Sequence, residues 1–136
     1  MDGSNSVVIA TGVREGWDIL TDFKNSEIIW SDGPSNEIES SNFDGDDRKL
    51  VLSCPYPWGM ALGKDRIIWG ERNSYKLRSS TLTGEDIITL YTGTSEVTDV
   101  EIVPSYGLPY NLENHCAGHK CDKVCVLTVN SFRCIN

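Results

Sequence analysis

Short runs with the apolar and polar pattern of β-strands recur along this 136-residue chain. Between Glu27 and Asp32, Ile28 and Trp30 fall on one face and Ile29 and Ser31 on the other, the period-2 pattern of a strand. A second run covers Glu37 to Asn42. The turn Phe43-Asp44-Gly45-Asp46 then leads into a third run, Arg48 to Leu52. Arg66 to Trp69, Tyr75 to Ser80 and Ile87 to Tyr91 follow, the last two joined by the turn Leu82-Thr83-Gly84-Glu85. Val97 to Val103 alternates again. No stretch holds a helical period over a useful length, so the pattern predicts an all-β chain.

The runs repeat. Ile28-Ile29-Trp30-Ser31-Asp32 recurs as Ile67-Ile68-Trp69-Gly70-Glu71, 39 residues later. Trp17-Asp18-Ile19-Leu20 recurs as Trp58-Gly59-Met60-Ala61, 41 residues later, and more faintly as Thr98-Asp99-Val100-Glu101. Asp44-Gly45 has a weaker copy in Thr83-Gly84. Four short strands in about forty residues describe one blade of a β-propeller. A lone blade cannot bury both faces and has to stack on neighbours. Roughly 2.5 periods are present, against about 4–8 blades in a closed ring. The expectation is therefore an incomplete propeller over residues 1–104, with the missing blades supplied by a longer chain. Pro104-Ser105-Tyr106-Gly107-Leu108-Pro109 reads as a connector to a second module over residues 105–136.

Charge and cysteines narrow the function classes. The formal charge is −8, and residues 1–104 carry nine basic and eighteen acidic side chains. That balance argues against nucleic acid, which demands clustered Lys and Arg, and permits basic ligands. No run approaches the ~18 apolar residues of a membrane span. No basic-then-apolar leader follows Met1, so the natural start is expected elsewhere. Cys54 stands alone and is expected to be a buried thiol. Cys116, Cys121, Cys125 and Cys134 crowd into the tail, which predicts disulfides in an oxidising compartment. Four cysteines leave three pairings open.

Candidate chemistry is sparse. No histidine precedes His115, so the blades hold no Ser/His/Asp arrangement, and no Gly-rich phosphate loop occurs. The expectation is no catalysis and no cofactor. Asn42, Asp44 and Asp46 alternate as in a calcium loop, but Asp47 stands where the loop glycine is due and Ser53 where the distal Glu is due. No metal site is expected there. His115 and His119 with the tail cysteines lack the paired spacing of a zinc site. Trp30 and Trp69 are read as core; Trp17 and Trp58, beside loops, are the candidate ligand face.

The stretch from Ile28 to Leu52 resembles an LDL-receptor class B, or YWTD, repeat, and Ile67 to Leu90 resembles a second, more divergent copy. Pro57 to Leu62 is similar to the family's Pro-x-Gly-(Leu/Ile)-Ala strand. Glu113 to Cys134 resembles the EGF-like module that follows such propellers in the LDL-receptor and its related proteins. The resemblance implies a six-bladed propeller, with Trp30, Asp32, Trp69 and Glu71 in the motif that ties blades together. Ile29 and Ile68 replace its Tyr, Ser31 and Gly70 its Thr, and Glu71 its second Asp. For the tail it implies Cys116–Cys125 and Cys121–Cys134 bridges. Asn136 stands where a fifth cysteine is due, so the module is incomplete.

By resemblance, the chain is expected to be the extracellular part of a single-pass cell-surface receptor, or secreted. It would bind extracellular protein ligands for endocytosis or co-receptor signalling and meet a membrane only through its parent receptor. The rival is a matrix or adhesion protein that uses the propeller–EGF pair as a structural module. A zinc-binding intracellular protein is the third reading.

Overall fold

A computed structural model describes residues 6–102 and the backbone of Val124–Thr128 and Ser131–Ile135. The chain divides into two compact units, Met1–Ile102 and Val103–Asn136. In the first unit, strands β1 (Gly16–Asp22), β2 (Glu27–Asp32), β3 (Glu37–Asn42) and β4 (Lys49–Ser53) form one antiparallel sheet in sequence order. Strands β5 (Pro57–Leu62), β6 (Arg66–Glu71), β7 (Lys76–Thr81) and β8 (Ile88–Thr92) form a second. Among the described residues there is no helix. Each sheet is one blade.

The two blades share their irregularities as well as their strands. The register of β1 on β2 slips between Gly16 and Ile19, and that of β5 on β6 between Pro57 and Met60. A second slip recurs between Ile38 and Glu39 and between Leu77 and Arg78. Positive φ recurs at Asn36 and Tyr75, at Gly45 and Gly84, and at Asp47 and Asp86. Bulges and left-handed residues are local, costly features. Their recurrence means the forty-residue period is a period of backbone conformation.

The core lies between the blades. Ile29, Ile38, Leu52 and Cys54 of the first blade meet Met60, Ile67 and Trp69 of the second. Alternation fixes this: Ile29 and Ser31 face the second blade, so Ile28 and Trp30 face away from it. Ile67 and Trp69 face the first blade. Trp69, Ile67 and Ile38 have no solvent exposure. Each such side chain contributes about 1.5–3 kcal/mol of burial.

Two flanking segments continue the pattern without forming strands. Ile9 packs on Gly45 as Val51 packs on Gly84, so the chain around Ile9 stands beside the first blade as β4 stands beside the second. Val97 to Val103, expected as a strand, is not one over residues 97–102. A strand is defined by its ladder, and no described strand lies beside this segment to pair with it. It packs instead on the face of the second blade. A Cβ on Gly70 would meet the Val97 carbonyl at 2.6 Å, and one on Gly59 would meet the Thr98 carbonyl at 2.7 Å.

In the second unit, β9 (Val124–Thr128) and β10 (Ser131–Ile135) pair antiparallel, with Cys125 opposite Cys134 in register. The connector, His115, His119, Cys116, Cys121 and the expected disulfides lie outside the described residues.

Candidate functional site

Antiparallel strands bring alternate connections to the same end of a sheet. One end gathers the start of β1, the 33–36 turn, the β4–β5 link and the 72–75 turn. Trp17 and Trp58, far apart in sequence, meet there with ring centroids 4.8 Å apart and planes tilted by 51°. Arg72 stacks on the cluster, its guanidinium carbon 4.4 Å from the Trp58 ring centroid and 5.5 Å from that of Tyr56. Glu96 holds Arg72 in place with a 3.0 Å ion pair. The Tyr56 hydroxyl donates to Glu15.

Gly33 makes room for the cluster. A Cβ there would lie 2.7 Å from the Tyr56 ring and 2.8 Å from Trp17 Nε1. Trp17 is 40% exposed, Trp58 half-buried, and Tyr75 on the neighbouring turn is exposed. The result is a rigid aromatic surface capped by a cation and edged by two carboxylates. Such a surface offers flat apolar area at little entropic cost, the chemistry of a protein-binding hot spot. The alternating period placed Trp17 and Trp58 near loops. Tyr56, Arg72 and Gly33 went unmarked, because only the second blade's turns carry the first two.

The motif residues are buried. Asp32, 2% exposed, accepts from the backbone N–H groups of Arg14 (2.8 Å) and Glu15 (3.3 Å) and from the Ser35 hydroxyl (3.0 Å). Burial alone would raise its pKa; these donors outweigh burial and hold the carboxyl below the usual value. Asp32 thus fastens the segment leading into β1 to the end of β2. The direct link between blades runs through Ser31 and Asp18. The Ser31 hydroxyl donates to the Trp58 carbonyl (2.9 Å) and accepts from Asp18 N–H (3.1 Å). Asp18 Oδ2 accepts from Met60 N–H at 2.6 Å. Sequence reasoning passed over Asp18, although its neighbour Trp17 was singled out.

The second blade solves the same problem with different chemistry. Gly33 N–H donates to the Glu15 carbonyl and Arg72 N–H to the Tyr56 carbonyl, so Glu15 and Tyr56 are equivalent, as are Arg14 and Pro55. Pro55 has no N–H to offer, and Tyr56 N–H is taken by Asn36 Oδ1. An Asp at position 71 would lack both donors. Glu71 stands there, 1% exposed, and turns to the Ser74 hydroxyl and to Arg78 at 3.2 Å. Trp30 donates to Glu39 across the ladder, and Arg48 lies over its ring. Trp69 has Arg78 as its ladder neighbour, and its Nε1 has no partner in the structure.

Cys54 is buried between the blades, and burial, with the Glu71 charge, pushes its thiol far above the ordinary range. Asn42 Oδ1 accepts from Asp44 and Asp46 N–H, closing the acidic turn as a capped hairpin. Among the described residues no group of three or more His, Cys, Asp or Glu is placed to hold a metal. None of the described helices could cross a membrane, there being none.

No family model matches the chain. It is 30% identical over 135 residues to the vitellogenin receptor of Solenopsis invicta, covering 96% of this chain and 8% of that protein. It is 26% identical over 137 residues to low-density lipoprotein receptor-related protein 5 of Mus musculus, covering 98% of this chain and 8% of that protein. Over 80 residues it is 35% identical to protein cueball of Drosophila ananassae, covering 54% of this chain. The chain therefore spans only about 8% of the length of the first two relatives. Among solved structures, a chain in the crystal structure of a nidogen/laminin complex superposes with a TM-score of 0.52 at 21% identity, over 56% of this chain and 31% of that one. That likeness speaks to the fold.

Proposed function

The chain is a run of LDL-receptor class B (YWTD) β-propeller repeats, and from that premise we propose that it is a ligand-binding part of a receptor's extracellular region. The loop end carrying Trp17, Tyr56, Trp58 and Arg72 holds a protein ligand, for uptake or for co-receptor signalling. The protein binds and does not catalyse. The cysteine-rich tail is an EGF-like module whose bridges join Cys116 to Cys125 and Cys121 to Cys134.

One observation carries this reading: a preorganised, half-exposed Trp–Trp–Arg cluster at the end where the loops converge. Hot-spot residues of these types each contribute about 2 kcal/mol or more when fully engaged. The relatives' names suggest the first ligands to try. Vitellogenin and low-density lipoprotein are each flowed over the immobilised chain and over a Trp17→Ala/Trp58→Ala variant. The expected result is binding of at least one of them, lost in the variant and kept by Lys64→Ala at the far end. Equal binding by the aromatic variant would displace the ligand site from this end. Binding of neither protein would remove lipoprotein-type cargo as the ligand.

A further inference from the structure

The opposite end of the first blade carries a second aromatic pair. Phe23 sits in the β1–β2 turn and Phe43 in the β3–β4 turn, with ring centroids 5.9 Å apart and planes at 60°. Phe23 is 80% exposed and Phe43 40% exposed. Both turns are held firmly. The buried Asp22 carboxylate accepts from Lys24 and Asn25 N–H and from the Asn25 amide. Asn42 Oδ1 closes the other turn.

Blade construction does not require this pair. The second blade makes the same two turns with Gly63-Lys64 and Leu82 at the corresponding places. Two rings held in solvent by rigid turns, in one blade only, are a surface feature with no share in the core. Exposed carboxylates of Asp44, Asp46 and Asp47 flank the rings, and none joins an ion pair among the described residues. The nearby cations Arg48 and Lys49 are committed to Glu39 and Glu27.

We propose that this end is a second docking surface, separate from the loop-end cluster, for a basic segment of a partner protein. An apolar or aromatic side chain of that segment lies against Phe23 and Phe43. Its Lys or Arg side chains face Asp44, Asp46 and Asp47. Charge complementarity selects the partner, since a neutral or acidic segment would meet uncompensated carboxylates. The contact gains an aromatic pair at its centre and a screened polar rim.

The test uses the full chain and fluorescein-labelled peptides followed by anisotropy. One peptide contains Lys-Arg-Phe-Lys, a second replaces the Phe with Ala, and a third replaces the basic residues with Glu. The first should bind most tightly and weaken steeply as salt rises. Phe23→Ser, at a position too exposed to disturb the fold, should weaken it about tenfold, the scale of a hot-spot aromatic. Asp44→Asn/Asp46→Asn/Asp47→Asn should weaken it and flatten the salt dependence. Trp17→Ala/Trp58→Ala should leave it unchanged, which separates this surface from the loop-end site. Equal binding of the three peptides, or an unchanged affinity for Phe23→Ser, would overturn the proposal. So would sedimentation showing that the chain self-associates through this pair and that Phe23→Ser abolishes it.

Discussion

At the scale of single residues, buried polar groups do the fastening, and their protonation sets when they hold. Asp32 is ionised in the fold below the usual carboxylate value, because two backbone N–H groups and Ser35 solvate it. A lowered folded pKa contributes stability that is complete above the unfolded value, about 3.9, and is lost as pH falls through the folded value. Asp32→Asn should therefore cost about 1–3 kcal/mol at pH 7. Urea titrations of the two proteins should converge as pH falls through the lowered folded value of Asp32. Cys54 gives a second residue-scale prediction. Its thiol is buried and its pKa raised, so Ellman's reagent should leave it untouched at pH 8 under native conditions and label it fully in denaturant. Labelling of Cys54 in the native protein at the denatured rate would show that the two blades do not close on it.

At the scale of strands and blades, the joint between neighbours is the unit of stability. Ser31 joins by hydrogen bonds to both sides, whereas Gly70 joins by close approach. Ser31→Ala should cost about 1–3 kcal/mol by stranding the Trp58 carbonyl and Asp18 N–H. Gly70→Ala should cost about 1–3 kcal/mol for the opposite reason, since its methyl would press on the Val97 carbonyl. Leu52→Ala, in the core between the blades, should cost about 2–5 kcal/mol. Thermal denaturation of the three variants checks all of these, and a neutral Gly70→Ala would mean that residues 97–99 do not pack as described. The strands themselves were legible in sequence because the short β-type runs Ile28 to Ser31 and Ile67 to Gly70 recur at one spacing between turn signals. The Trp17–Trp58 surface was half legible: its rings recur at one spacing, but Arg72 and Tyr56 occur once and belong to no period. Asp18 escaped notice because its counterpart in the second blade is Gly59, and the letter returns only in the faint third copy, at Asp99. The strand expected at Val97 failed for a different reason, since alternation reports a chain's capacity to pair and not the presence of a neighbour.

At the scale of the whole molecule, the two blades differ in how much of each is covered. Leu52 of β4 is 6% exposed because the second blade lies over it. All five residues of β8 are exposed, Leu90 by 47% and Tyr91 by 57%. Leu90→Lys should thus change the melting free energy of this chain by no more than about 0.5 kcal/mol. A larger loss would reveal a covering partner for β8. The proline at position 55 has a consequence of its own. Asp32 needs two upstream amides, and the segment before the second blade cannot present both; Glu71 is cut to fit that gap. The wedges are therefore keyed, each to the strap that introduces it. A chain rebuilt with the first wedge duplicated in the second place would keep Ser35 on the carboxylate but lose both strap amides, so gene duplication lengthens this array at a loss unless the strap changes with it.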